Sequence, residues 1–561
     1  MKKYRWQLLI LFLTGLVVGT LLILEKRGGI GQLGTPQPVS GGVYTEALIG
    51  SLSRLNPLLD SSNQVDRDVD RLIFSGLVKF DSRGMPEPDL AESIRPSQDG
   101  MIYNVTLRDG LTWHDGDPIT TADIVFTVNL LQNGDGFISA DLVAFWNEIS
   151  LVVLDDLNMQ FVLPESFSPF QDYLAFGVLP NHLLAGKSLS EIAESTFNLE
   201  PVGSGPYQFL ELTVENDVIT GLTLKAFTKN STSGPFLEEI NFRYYADAQS
   251  AYQAYVDKYV QGISEIPDEM LASALNNPEL SVYTGRLPQI SMVMFNLNDP
   301  ALPFFQDAII RRALLLGLNR QRLINEVFNG QAIVANSVIF PESWAYLDSM
   351  PTVEYNQEQA ATLLKEAEYV ITGDENPVRM KEDIALRFVL SYPDDELHRV
   401  IAESIQSDWK KLSIDVVLEP VPADIFISTK LAPRAYQAAL VDLNLSRTPD
   451  PDPYPFWDSG QAVTGQNYSQ WNNRLASDSI EQARVAMDFN ERTRLYHNFQ
   501  AIFEAELPSL PLYYPVYNYG VDAVIQGVSL GPLMDTSDRF ASIHQWFMTA
   551  RRTQGTETPA P

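Results

Sequence analysis

The spacing of apolar and polar positions switches repeatedly between a period of two and a period near 3.6. Residues 101–108 (Met-Ile-Tyr-Asn-Val-Thr-Leu-Arg) alternate like a half-buried strand, and Asp109-Gly110 then supplies a turn. Residues 120–131 read as a helix: Thr120 or Thr121 is the N-cap, Asp123 lies in the first turn, and Ile124, Val125, Val128 and Leu131 form the buried stripe. Leu386, Phe388 and Leu390 alternate as another strand. Leu397, Ile401, Ile405 and Leu412 follow at helical spacing, and residues 414–418 form an apolar strand. Strand, helix, strand in that order predicts a right-handed crossover within an α/β lobe. Near the end, Leu495, Phe499, Ile502 and Phe503 mark an amphipathic helix stopped at Pro508. Residues 510–519 then read as an aromatic strand. Alternation sends Tyr513, Pro515 and Tyr517 to one face and Tyr514, Val516 and Asn518 to the other, so one face packs while the other meets a cleft.

The chain has 561 residues, too many for one core, so two or three lobes are expected. Lys2, Lys3 and Arg5 precede an uncharged, mainly apolar run at residues 8–24. As a helix it would span roughly 25 Å, slightly short of a hydrocarbon core. Glu25-Lys26-Arg27 follows with no small-residue cleavage site, which favours an uncleaved anchor over a released signal peptide. Residues 28–41 are rich in Gly, Pro, Ser and Thr and read as a flexible linker, and residues 549–561 as a disordered tail. The side chains comprise 39 basic and 71 acidic groups, a formal net charge of −32, which repels phosphate backbones and argues against nucleic acid as a partner. Cysteine is absent, which removes disulfides, thiolate metal sites, a Cys nucleophile and a lipid-modified N-terminal Cys.

Catalytic and cofactor patterns are missing. Gly203-Ser204-Gly205-Pro206 has the glycines of a phosphate loop but no Lys-Ser/Thr ending and no helix start, so it reads as a tight turn. No two of His114, His182, His398, His497 and His544 are spaced as a helical metal pair. Asp450-Pro451-Asp452-Pro453 fails as a calcium loop because Tyr454 and Pro455 take the next ligand and glycine positions. No Gly-x-Ser-x-Gly elbow occurs, and acidic residues are too many to single out a glycosidase pair. No cofactor and no metal are expected.

Several short phrases occur in a fixed order: Pro86-Glu87-Pro88-Asp89-Leu90-Ala91-Glu92-Ser93, Leu107-Arg108-Asp109-Gly110-Leu111-Thr112-Trp113-His114-Asp115-Gly116, Pro201-Val202-Gly203-Ser204-Gly205-Pro206-Tyr207, Ile310-Arg311-Arg312-Ala313-Leu314, Ala361-Thr362-Leu363-Leu364-Lys365-Glu366-Ala367 and Leu510-Pro511-Leu512-Tyr513. From about residue 42 to 546 the chain thus resembles the extracellular solute-binding proteins of peptide/nickel ABC importers. Asn319 and Glu368 depart from the family's usual Asp and Gly. The resemblance implies an α/β, periplasmic-binding-protein-like, two-lobed hinge fold with an additional inserted domain, preceded by one N-terminal hydrophobic helix (1–27). Lobe I would comprise 42–75, 201–293 and 515–548, inserted lobe II 76–200, and lobe III 294–514. It implies a monomeric, non-enzymatic receptor on the extracellular face of the cell membrane (periplasmic if an outer membrane exists), delivering a small peptide or other polar solute to permease subunits.

In peptide-binding members an Asp before a Glu/Asp-Pro pair holds the ligand's amino terminus; here Arg447 stands at that position. A guanidinium in the crevice would prefer a carboxylate, a phosphate or sugar hydroxyls. Pairing of Arg447 with Asp442 or Asp450 is the alternative. The candidate ligand-binding residues are Arg447, Asn444, Leu445, Asp450, Tyr454, Trp457, Asn467, Tyr513, Tyr517 and Asn296, the last resembling the family's Phe-Asn entry into the second main lobe. The rival functions are an extracellular hydrolase with a cleft carboxylate pair, and a sensor signalling through its anchor helix.

Overall fold

The computed structural model of the chain describes residues 38–230, 235–372, 377–445 and 450–549. The apolar run at 8–24, most of the linker, Arg447 and nearly all of the C-terminal tail lie outside the described residues. Among the described residues no helix is long and apolar enough to cross a membrane.

The period-two and helical segments become real elements with modest changes at their ends. The strand Ile102–Leu107 buries Tyr103, Val105 and Leu107. The helix Thr121–Asn133 takes Thr120 as its N-cap. The Ala122 amide donates to Thr120 Oγ1 at 3.3 Å and the Thr120 amide to Asp123 Oδ2 at 2.9 Å, a reciprocal cap. Strands Arg387–Pro393 and Asp415–Val421 pair in parallel across the helix Glu396–Lys410, as the crossover pattern requires. The two departures from the family pattern are absorbed locally: the Asn319 side chain caps the helix Arg320–Val327, and Glu368 adopts the left-handed φ of 70° that favours glycine.

One twelve-stranded sheet runs through the molecule and divides it into two lobes. In the first lobe, Val43–Ile49 pairs in parallel with Glu239–Tyr245, followed outward by Val218–Ala226 and Tyr207–Glu215. In the second, Gln289–Phe295 pairs with Ala438–Asn444, which leads to Arg387–Pro393 and Asp415–Val421. Two extended segments cross between the lobes. Ser509–Asp522 pairs with Gln289–Phe295 through its first half and with Leu280–Arg286 from Val516 onward. The other is Leu280–Arg286 continuing through Leu287 and Pro288 into Gln289–Phe295. The exchange of partners coincides with Pro288 and Pro515, whose nitrogens carry no hydrogen for a ladder.

The second-lobe sheet is covered on both faces. Val293 and Phe295 enter one core with the helices Ala308–Leu316 and Glu396–Lys410, while Ile290, Met292 and Met294 enter another with Arg474–Val485 and Phe489–Glu506. The strand expected to keep one face for a cleft is therefore buried on both: Tyr513 packs in the first of these cores, Tyr514 in the second, and Tyr517 in the first-lobe core.

A four-stranded antiparallel sheet (Ala91–Pro96, Ile102–Leu107, Asn158–Val162, Ser150–Val153) shares the first lobe's core. Its loop at His114 docks onto the Gly203-Ser204-Gly205 turn. The Gly203 amide donates to His114 Nδ1 at 3.2 Å, leaving Nε2–H for the Gly205 carbonyl at 3.1 Å. A Cβ on Gly203 would sit 2.0 Å from the Ile73 carbonyl oxygen, so the glycines serve close backbone packing. Within the first lobe, fully buried Arg539 pairs with Glu46 at 2.8 Å and Asp68 at 2.7 Å.

Candidate ligand-binding cleft

A cavity of about 210 Å³ lies where the two lobes and the four-stranded unit meet. The crossing strand Leu280–Arg286 delivers Arg286 to it, and the Leu287-Pro288 bend forms one wall. The strand Ala438–Asn444 places Asn444 opposite Gln289, and the Leu445 amide donates to the Pro288 carbonyl at 2.7 Å, so chain 443–445 lies along that bend. Asp450, Asp452 and Trp457 come from the same lobe, Leu533 and Met534 from the first lobe, and Tyr173 from the four-stranded unit. A roomier cavity of about 460 Å³ is lined by the first lobe and that unit alone, so closure between lobes would not act on it.

Of the residues singled out from the sequence, Asn444, Leu445, Asp450 and Trp457 come together at this cavity, with Arg447 outside the described residues. Trp457 presents little surface: it is buried edge-on against Phe503, with ring centroids 4.8 Å apart. Tyr454 stands beside the cavity under the Arg484 guanidinium, 4.1 Å from its ring centre. The remaining four sit elsewhere. Tyr513 packs on Phe328 with centroids 4.6 Å apart, and Tyr517 donates to the Ser264 carbonyl. Asn467 is fully buried and ties its own loop through the Asp458 and Trp471 carbonyls at 2.9 and 2.8 Å. Asn296 donates to the Arg434 and Tyr436 carbonyls, both at 3.1 Å.

The acidic groups of the cleft are already engaged. Asp450 accepts from Arg492 through Oδ2 and from the Tyr496 hydroxyl at 3.2 Å through Oδ1. Asp452 pairs with Arg484 at 3.1 Å, yet burial still pushes its carboxyl up to about 6. Arg286 differs. Its guanidinium lies 5.2 Å from the Tyr514 ring centre, Nη2 donates to Glu342, and burial lowers its pKa from the ordinary arginine value. Its Nε and Nη1 find no acceptor among the described residues. No sequence pattern marked Arg286, Arg484 or Arg492, because their partners are remote in the chain.

Direct contacts join the four-stranded unit to the second lobe. Ser166 Oγ donates to the Val485 carbonyl at 3.0 Å, and Ser168 Oγ to that of Ala486. Arg484 stacks on Phe167 as well as Tyr454, at 5.0 and 4.1 Å from the ring centres. Asp172 is buried here, hydrogen-bonded by the Asp450 amide. Burial and then the Asp450 charge drive its pKa well above the carboxylate range, against the pull of Arg492. Among the described residues no cluster of three or more His, Asp or Glu side chains could hold a metal.

Two lobes joined by crossing strands around a polar-edged cavity define the architecture of a solute-binding receptor. Residues 85–466 match the family described as bacterial extracellular solute-binding proteins, family 5 Middle, and the chain belongs to that family of binding proteins. It is 25% identical over 521 residues to the oligopeptide-binding protein AppA of Bacillus subtilis (strain 168), covering 91% of this chain and 92% of that protein. It is 24% identical over 539 residues to the dipeptide-binding protein of Escherichia coli (strain K12), covering 91% and 97%. Among solved structures, HbpA2 from Haemophilus parasuis superposes with a TM-score of 0.79 at 19% identity, covering 91% of this chain and 100% of that one. AppA from Bacillus subtilis in complex with a nonapeptide superposes with a TM-score of 0.66 at 23% identity, covering 92% and 100%. The chain is accordingly an extracellular solute-binding receptor.

Proposed function

We propose that this receptor captures a peptide-like solute between its lobes and presents the closed form to the permease subunits of an ABC importer. The observation that carries the reading is the cavity lined jointly by both lobes and the four-stranded unit, since a guest touching all three favours their closure. The hinge falls at Leu287-Pro288 and Pro515, and the four-stranded unit corresponds to the inserted domain. Peptide as ligand is supported by the relatives named for oligopeptides and dipeptides, and by a cleft of proline and aromatic surfaces with backbone and amide groups at its edge. Asn444, Leu445 and Asp450 are the proposed contacts. A hydrolase would need a free carboxylate pair, whereas Asp450 and Asp452 are each held by an arginine. The apolar run at 8–24 would tether the receptor to the membrane, which fractionation of cells expressing the full chain would show.

Thermal-shift measurements with di- to pentapeptides, oligosaccharides and nickel–histidine test the ligand class. A peptide at a hundredfold excess over its Kd should add about 2.7 kcal/mol to stability. A melting temperature raised by oligosaccharides and indifferent to every peptide would replace this reading.

A further inference from the structure

We propose that Arg286 anchors a ligand carboxylate at the hinge end of the cleft, and that the Glu342 carboxylate occupies that place until ligand displaces it. The proposal rests on the reading that the ligand sits in the cavity between the lobes. Arg286 ends a crossing strand, opposite Val516 where the neighbouring strand changes partners, so its backbone is fixed by the hinge itself. Its side chain is 6% exposed and lines the cavity. The rings of Tyr514 and Phe340, with centres 5.2 and 6.0 Å from the guanidinium carbon, hold it from the side.

A buried guanidinium is ordinarily saturated with acceptors. Arg311 and Arg320 in this same chain donate to backbone carbonyls and need no exposed partner. Arg286 instead keeps Nε and Nη1 without an acceptor among the described residues. Among the described residues four other arginines leave Nε alone without an acceptor, whereas Arg286 leaves two nitrogens so, on a side chain that lines a cavity water or a ligand can fill. Its acidic partner among the described residues, Glu342, is 54% exposed at the side chain, so water competes for it and it can give way to another carboxylate. A planar cation with free donors, facing a cavity and covered by a weakly held carboxylate, is built to exchange that carboxylate for another. A singly charged carboxylate fits better than a phosphate. Glu342, Asp450 and Asp452 line the same cavity, and the chain's net charge of −32 opposes a dianion.

The test uses calorimetric titration of the full chain with tri- to pentapeptides of alanine, leucine and phenylalanine, each as free acid and as C-terminal amide. Acetate and propionate serve as singly charged carboxylates without a peptide. Free acids should bind about tenfold or more tighter than the amides, the size of a lost charge-assisted pair. Arg286→Gln should abolish that difference, weakening the free acids far more than the amides. Glu342→Gln, on an exposed side chain, should tighten free-acid binding several-fold by removing the competitor, and it decides the matter if the arginine variant does not fold. Equal binding of acids and amides, or weakened acid binding in Glu342→Gln, overturns the anchor while the peptide reading stands. Binding of acetate or propionate that depends on Arg286, with no peptide bound, keeps the anchor and removes the peptide reading. Silence from both sets removes both.

Discussion

Replacing Asp172 by asparagine should make closure of the ligand-free receptor much less sensitive to pH. Asp172 lies on the 3-10 helix Ser168–Ala175 of the four-stranded unit and meets the second lobe at Asp450 and Arg492, with Tyr103 and Tyr496 also facing the cluster. In the closed arrangement burial and the Asp450 charge hold its pKa well above the ordinary range. In an open arrangement water would return it to about 3.9. The sign follows from linkage: a carboxyl whose pKa rises on closing takes up a proton, so closure is favoured at low pH and weakens as pH rises. At pH 7 protonating a carboxyl of pKa near 3.9 costs at most about 4 kcal/mol, at 1.36 kcal/mol per unit. The neutral asparagine side chain avoids that cost while its amide oxygen still accepts from the Asp450 amide. Small-angle scattering should therefore show the wild type more extended at pH 7.5 than at pH 4.5, and D172N with a much smaller difference between the two. A wild type of the same radius at both values, or a D172N variant as responsive as the wild type, would refute the reasoning.

Arg539→Met should destabilise the protein by about 3–5 kcal/mol in urea denaturation, because Glu46 and Asp68 would remain buried without their cation; restoring stability with E46Q and D68N in the same chain would check the cause. His114 is held neutral, with burial pushing its pKa down to about 4, so stability present above pH 6.5 is lost as pH falls towards 4. His114→Asn should flatten this slope in acid denaturation, the full effect being roughly 3 kcal/mol. Gly203→Ala should fold poorly, since its Cβ would lie 2.0 Å from the Ile73 carbonyl oxygen; normal yield and melting temperature would show that the turn can move.

Much of the local architecture could be read directly. The Thr120 cap, the alternation at 102–107 and the crossover from Leu386 to Leu418 depend on neighbours within a few residues, and the structure keeps all three. The aromatic strand shows where that reading stops. Alternation separates Tyr513 from Tyr514 but says nothing of what covers each face, and here helices cover both. A register shift opposite Ser291 and Met292 leaves Leu512 unpaired in the aromatic strand, so Leu512 and Tyr513 enter the same core. The sequence placed Asn444, Leu445, Asp450 and Trp457 in one region because they follow one another along the chain, and the cavity gathers them. It held no hint of Arg286 beside Glu342, nor of Asp172 against Asp450.

By itself, then, the chain's order of residues determined the periods of its elements, the family to which it belongs and the want of catalytic motifs. The tertiary structure alone decided which charges are neutralised and which cation is left facing the cavity. Periodicity is a consequence of backbone geometry between adjacent residues. Charge pairing depends on burial and on partners brought close only when distant segments pack, and no spacing along the chain encodes that.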